Sequence, residues 1–147
     1  MTRLKRASLK DISSIAPLFD AYRVFYKQPS DLIAAIEFLE ERLSKNQSVI
    51  FLAFKASVPV GFTQLYTTFS SVSMQPVLIL NDLFVDHKFR NMGIGEALLG
   101  KAIDFCKEMD YKGLSLETAL DNPARHLYEK LGWKKDTDCF HYFYHCE

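Results

Sequence analysis

The sequence predicts one domain, residues 1–147, of the α/β (α+β) class, with a mixed sheet of about six or seven strands and about four helices. Three observations carry this. Apolar runs of strand length at 48–55, 60–69 and 77–85 follow one another through short connections, the signature of an antiparallel meander. A glycine-containing turn, Arg90 to Gly95, then opens a run with helical spacing at 94–109. A further strand-like run at 113–118 follows that helix, and strand, helix, strand implies a right-handed crossover with 113–118 parallel to 77–85.

The elements can be justified in order. Residues 2–7 read as a short edge strand, and Ser8 with Asp11 three positions on reads as a helix start with a capping acid. Ile12, Ile15, Ala16, Phe19 and Tyr22 recur at helical spacing, and Pro17 inside that pattern predicts a bend or a restart. Gln28-Pro29-Ser30 breaks the run, with Ser30 as the cap of a second helix whose face is Leu32, Ile36, Leu39 and Leu43. Ala56 to Pro59 and residues 70–76 are the connections within the meander. The helix after the glycine turn presents Ile94, Ala97, Leu98, Ala102, Phe105, Cys106 and Met109 to the core. Asn122 and Pro123 open a short helix with Ala124, Leu127, Tyr128 and Leu131 on one face, and Gly132 ends it. Trp133 onward and Phe140 to Cys146 read as closing strands around the polar turn 134–138.

Composition narrows the function classes. Lys plus Arg and Asp plus Glu number 18 each, and this balance argues against a general nucleic-acid binder or an anionic-membrane binder. No apolar run is long enough for a membrane span, and Met1 to Arg6 lacks the apolar core of a secretory signal. Three cysteines without framework spacing predict free thiols in a reducing, cytoplasmic setting. Cys139, His141, His145 and Cys146 invite a metal reading, but in an extended strand His141 and His145 would lie ~13 Å apart. One zinc ion does not take both, so no metal is predicted.

Arg90-Asn91-Met92-Gly93-Ile94-Gly95 is the informative stretch. Strand, tight turn and helix aim backbone N–H groups and the positive end of a helix dipole at an anion. The glycines allow close backbone approach. The same residues also fit an ordinary strand-to-helix turn without a ligand. They complete neither a P-loop nor a dinucleotide fingerprint.

Arg90-x-x-Gly93-x-Gly95 resembles the R/Q-x-x-G-x-G/A motif of the GNAT superfamily of N-acetyltransferases. Leu80-Asn81-Asp82-Leu83-Phe84-Val85 is similar to that family's central strand, and Asn122 through Leu127-Tyr128 to Gly132-Trp133 to its second motif. Phe62-Thr63-Gln64-Leu65-Tyr66 and Phe25-Tyr26 resemble most the branch acting on histones, polyamines and other small amines. The resemblance implies a GNAT-type sheet whose central parallel pair splays apart to admit the pantetheine arm of acetyl-coenzyme A. It implies acetyl transfer to a primary amine by direct attack in a ternary complex. Leu83, Phe84 and Val85 would meet the pantetheine; Arg90, Asn91, Met92, Gly93, Ile94, Gly95 and Glu96 would cradle the pyrophosphate; Asn122, Ala124 and Tyr128 would complete the coenzyme contacts.

The resemblance makes Tyr128 the general acid toward the departing thiolate, a role that suits a phenol of pKa about 10. Helical spacing alone reads Tyr128 as packing with Leu131 and Ala124. The base is open between Asp82 and Glu117. The family's polyamine enzymes carry a glutamate where Asn81 stands, and Asn81 cannot accept a proton. Each carboxylate also fits a strand-end cap or an ion pair. Asn122 precedes Tyr128 by six residues where the family has seven, so a structural N-cap competes with coenzyme contact. Tyr22, Tyr26, Asn81 and Asp82 are the predicted acceptor-binding residues, with Phe19, Phe25, Leu65 and Tyr66 as further pocket residues by analogy. Small amines, polyamines or amino acids lead as acceptors over protein lysines or N-termini, and a non-catalytic acyl-coenzyme A-binding module is the remaining alternative. Phe140, Tyr142, Phe143 and Tyr144 fit either the core or a subunit interface, and the resemblance, to a branch that often dimerises through its C-terminal strands, implies a homodimer.

Overall fold

The computed structural model describes residues 1–147 and divides the chain into two compact units, Met1–Leu116 and Glu117–Glu147. In the first unit, β1 (Thr2–Arg6), β2 (Val49–Lys55), β3 (Val58–Ser70), β4 (Gln75–Val85) and β5 (Leu114–Ser115) form a five-stranded sheet in that order. The first four strands are antiparallel, and β5 runs parallel to β4. The predicted meander and crossover are therefore present, and the fold class is α/β with a mixed sheet.

Helices α1 (Ile12–Phe25) and α2 (Leu32–Ser44) cover one face. Ile15, Phe19, Ala35 and Leu39 from these helices join Ile50, Leu52, Phe62 and Phe84 in one buried cluster. Helix α3 (Ile94–Glu108) covers the opposite face, where Phe105 meets Phe51 edge-on at 5.7 Å. Burial picks out Ile94, Leu98, Leu99, Ala102, Phe105 and Cys106; Leu99 joins the predicted stripe and Met109 leaves it for solvent.

Local chemistry explains the starts and ends. Ser8 and Asp11 form the predicted capping box around a single 3-10 turn, and Lys5 adds an ion pair to Asp11 at 2.7 Å. Helix α1 runs through Pro17 without the predicted restart. Pro17 and Ser13 are exposed, so the Ser13 carbonyl that loses its helical partner faces water. Asp31, not Ser30, caps α2, accepting from the Ala34 N–H at 3.1 Å. Ser30 instead donates to Asp20 at 2.6 Å, which draws the α1–α2 connection together.

Two strand irregularities shape β3 and β4. Pro59, which has no N–H to give a ladder, sits beside a shift in the β2–β3 register. Gly61 lies where a Cβ would stand 2.8 Å from the Phe84 carbonyl oxygen, so only glycine permits this close approach of β3 and β4. The second irregularity is at Asn81: Leu65 pairs with Leu80 and Gln64 with Asp82, leaving Asn81 as the extra residue of a bulge.

The sheet has five strands rather than six or seven. The strand predicted at 113–118 is paired only at Leu114 and Ser115, opposite Leu78 and Ile79. From Leu80 to Val85, β4 has no ladder partner on its β5 side. The predicted closing strands after Trp133 do not form, and residues 131–147 contain no regular element. Aromatic content favours an extended chain, but a strand also needs an edge to pair with, and this segment makes no ladder.

In the second unit, α4 (Ala124–Lys130) is framed at both ends. Asn122 Oδ1 accepts from the Ala124 N–H at 3.0 Å. Gly132, at φ +94°, closes the helix, with Trp133 N–H bonding to the Tyr128 carbonyl and Gly132 N–H to Glu129, a Schellman motif. No helix in the chain is long and apolar enough to cross a membrane.

Candidate active site

The bulge at Asn81 builds the site. Upstream of it, Leu78 and Leu80 share the sheet face of Leu65, toward α3. The extra residue inverts the alternation, so Asp82 and Phe84 share the face of Gln64 and Phe62, toward α1 and α2. A carboxylate is thereby placed against an otherwise apolar layer, where Asp82 is only 2% exposed.

Hydrogen bonds hold that carboxylate. Gln64 Nε2 donates to Oδ2 at 2.5 Å and Asn81 Nδ2 to Oδ1 at 2.7 Å. Thr63 Oγ1 donates to the Asp82 main-chain carbonyl at 2.8 Å. Burial raises the Asp82 pKa above the ordinary carboxyl value, and the bonds from Asn81 and Gln64, with the Tyr22 hydroxyl nearby, pull it back only in part.

Above Asp82 lies a cleft of about 390 Å³ between the sheet and the α1–α2 pair. Phe19, Tyr22, Phe38 and Tyr66 supply aromatic walls, Ala34 and Ala35 a smooth side, and Arg23, Asn81 and Asp82 the polar groups. The Tyr22 hydroxyl donates to the Asn81 carbonyl at 3.2 Å, and its ring meets Phe62 and Phe84 edge-on. Burial, and then the negative charge of Asp82, raise the pKa of Tyr22 and Tyr66, so both phenols stay neutral beside the carboxylate.

Of the predicted acceptor residues, Tyr22, Asn81 and Asp82 meet in this cleft, joined by Phe19 and Tyr66. Tyr26 stands behind Tyr22, ring to ring at 5.0 Å, and Phe25 packs on Tyr26; neither lines the cleft. Leu65 is buried on the opposite face. The residues missed by sequence reasoning are Gln64 as a carboxylate partner, Arg23 from α1, and Ala34, Ala35 and Phe38 from α2. Phe38 stacks on Phe19 at 5.6 Å; it falls one position off the leucine stripe that drew attention to α2.

The glycine turn occupies the start of α3. Asn91 (φ +63°) and Gly93 (φ +78°) are both left-handed, and Gly93 takes the N-cap position. A Cβ built on Gly93 meets nothing within 4 Å, so the turn faces open space. The amides of Ile94 and Gly95 lie in the first turn of a 15-residue helix, where no helical carbonyl reaches them, and Glu96 follows in the same turn. Left-handed turn, open approach and first-turn amides form a donor set that fits a phosphate. Met92 is exposed beside them. Arg90 is not a loose loop arginine: its Nε donates to the Val85 carbonyl at 3.0 Å, and its guanidinium lies 5.6 Å from Phe25 and 5.7 Å from Phe84. It ties the turn to the end of β4, where Leu83, Phe84 and Val85 follow the bulge along the unpaired side of the strand.

The remaining predicted residues belong to the second unit. Glu117 lies beyond β5, its side chain 78% exposed and 3.3 Å from His141 Nδ1. Asn122 acts as the cap of α4 and Ala124 is its first residue. Tyr128 is buried, its ring 5.9 Å from that of Trp133. No group of three or more His, Cys, Asp or Glu side chains converges as metal ligands would.

Comparison with known proteins agrees with this arrangement. The model of the acetyltransferase (GNAT) family matches residues 14–133. The uncharacterised N-acetyltransferase YhfO of Bacillus subtilis is 47% identical, over 95% of this chain and 94% of its own length. An N-alpha-acetyltransferase of Sulfurisphaera tokodaii is 30% identical, over 72% of this chain and 68% of its own. A crystal structure of a probable acetyltransferase superposes with a TM-score of 0.93 at 34% identity, covering 99% of this chain and 98% of that one. The chain belongs to the acetyltransferase (GNAT) family.

Proposed function

We propose that the whole chain, residues 1–147, works as one acetyl-coenzyme A-dependent N-acetyltransferase domain, and that its acceptor is a small primary amine seated over Asp82. The observation that carries this is the buried, hydrogen-bonded Asp82 carboxylate on the floor of an aromatic cleft. An alkylammonium finds there both a counter-ion and the faces of Phe19, Tyr22, Phe38 and Tyr66. A cleft of about 390 Å³ suits a small molecule better than a folded protein surface.

Acetyl-coenzyme A supplies an activated acetyl thioester when bound. The residues we assign to it are the amides from Asn91 to Glu96 with Arg90 for the pyrophosphate, the unpaired side of Leu83 to Val85 for the pantetheine, and Asn122, Ala124 and Tyr128 from the second unit. Asp82 anchors the ammonium, and the proton leaves through Asp82 or a water beside it, because only the neutral amine is a nucleophile. Glu117, exposed beside His141, is the weaker candidate base. Tyr128 returns a proton to the departing thiolate.

Membership in an acetyltransferase family weighs against a non-catalytic acyl-coenzyme A module. A second acceptor class is a peptide N-terminus, favoured by the similarity to the Sulfurisphaera tokodaii N-alpha-acetyltransferase. The test is release of free thiol from acetyl-coenzyme A against a panel of monoamines, polyamines, amino acids and short peptides. Fast turnover of small amines is the expected result; turnover of peptides alone would replace this reading with the second.

A cytoplasmic homodimer belongs to the same proposal. Three free cysteines support a reducing compartment, and Phe140, Tyr142, Phe143 and Tyr144, at 80–88% exposure, support a partner for the C-terminal segment. Sedimentation equilibrium is expected to give twice the 16.9 kDa chain mass, and the mass of one chain would remove the dimer.

A further inference from the structure

Gln64 is fully buried in β3, in a layer otherwise filled by Ile50, Leu52, Phe62 and Phe84. A primary amide in such a place is costly unless its groups are bonded. Here both ends are used. Ser48, just before β2, donates its hydroxyl to Gln64 Oε1 at 2.7 Å, and Gln64 Nε2 donates to Asp82 Oδ2 at 2.5 Å. The line Ser48–Gln64–Asp82 thus crosses the sheet from the start of β2 to the middle of β4.

The two ends of a glutamine amide have nearly the same shape and opposite polarity. With the NH₂ toward Asp82, the amide stabilises a carboxylate; turned over, it would set an oxygen against it. The ionised carboxylate only accepts, so it selects the first orientation, and the Ser48 hydroxyl then supplies the donor that Oε1 needs on the far side. Asn81 steadies the other carboxylate oxygen but is exposed and belongs to the bulge itself.

We propose that Gln64, backed by Ser48, is a positioning residue that keeps the Asp82 carboxylate ionised and aimed into the cleft, and so sets the lower pH limit of amine acetylation. This rests on the reading of Asp82 as the amine-binding carboxylate. The other titratable or charged groups lining the cleft around Asp82 are Tyr22 and Arg23 from α1 and Tyr66 from β3; α2 contributes only Ala34, Ala35 and Phe38. None of these hydrogen-bonds to the side chain of Gln64 or Ser48, whose side-chain partners are each other and Asp82.

The test combines two readouts on the full chain. The first is the Asp82 carboxyl titration in the free protein by carbon-13 NMR, its resonance assigned by its loss in Asp82→Asn. The second is the acidic limb of kcat/KM for an accepted amine. Gln64→Met, which keeps the volume and removes both bonds, is expected to move both upward by about one pH unit or more. Activity should recover on the alkaline side of the shifted limb. Ser48→Ala should move both in the same direction by less. An Asp82 titration unmoved in Gln64→Met, in a protein whose Asp82→Asn variant loses the limb, overturns this inference alone. An Asp82→Asn variant with wild-type turnover overturns the reading of the cleft beneath it. Should Gln64→Met fail to fold, Ser48→Ala decides: an upward shift supports the proposal and an unmoved titration ends it.

Discussion

Asp82→Asn is expected to lower kcat/KM for the amine by about 10²- to 10⁴-fold, the range typical of a lost acid–base group. Acetyl-coenzyme A affinity, measured by calorimetry, should change little, because the residues assigned to its pyrophosphate lie on the turn before α3. The substitution also carries a stability signature. Burial raises the folded-state pKa of Asp82 above its ordinary 3.8. A group raised on folding contributes stability that is full below the ordinary value and lost as pH rises through the folded one. Wild type should therefore lose stability relative to Asp82→Asn as pH climbs from about 4 toward neutrality. Urea unfolding of both proteins across that range gives the difference. Its offset includes the rearranged donors of Gln64 and Asn81, so the slope is the quantity to read. A slope of opposite sign would mean that the bonds from Asn81 and Gln64 outweigh burial.

The meander, the crossover helix and the glycine turn before it were legible because each is written locally. Apolar runs of strand length sit between polar connections, and glycine stands where Gly93 needs a positive φ. The capping acid at Asp11 and the terminator at Gly132 are equally local. What the residue pattern did not disclose depends on partners distant in sequence. Leu80, Asn81 and Asp82 read as continuous strand, and only the register against β3 shows that Asn81 is extra and that Asp82 has changed faces. The role of Gln64 is hidden for the same reason, since its partners are 16 and 18 residues away. The closing strands were over-read: the aromatic run from Phe140 to Tyr144 describes a segment able to pair, while pairing itself requires an edge. Ser30 and Asp31 are both good caps by type, and the choice between them turned on Asp20, one helix earlier, capturing the serine. The candidate cleft was recognisable in Tyr22, Asn81 and Asp82 and incomplete without α2, whose Phe38 owes its place to stacking on Phe19.

Tyr128→Phe is expected to cut kcat by about 10²-fold or more while acetyl-coenzyme A still binds. The substitution suits the question because it leaves the ring. Tyr128 packs on Trp133, and α4 is held at its start by Asn122 and at its end by Gly132, so the helix keeps its frame when only the hydroxyl is removed. The cost in stability should be that of one hydrogen bond, about 0.5–1.5 kcal/mol. The two roles open to this tyrosine then separate cleanly. If the hydroxyl delivers a proton to the departing thiolate, turnover falls, affinity for acetyl-coenzyme A holds, and acceptors of different basicity slow together, because the missing proton belongs to the thiol and not to the amine. If the ring is there only to pack, phenylalanine serves as well and turnover is unchanged. A variant that loses both acetyl-coenzyme A binding and stability would place the hydroxyl in the framework of the second unit instead. Single-turnover measurement at saturating amine distinguishes these outcomes, since it isolates the acetyl-transfer step from product release.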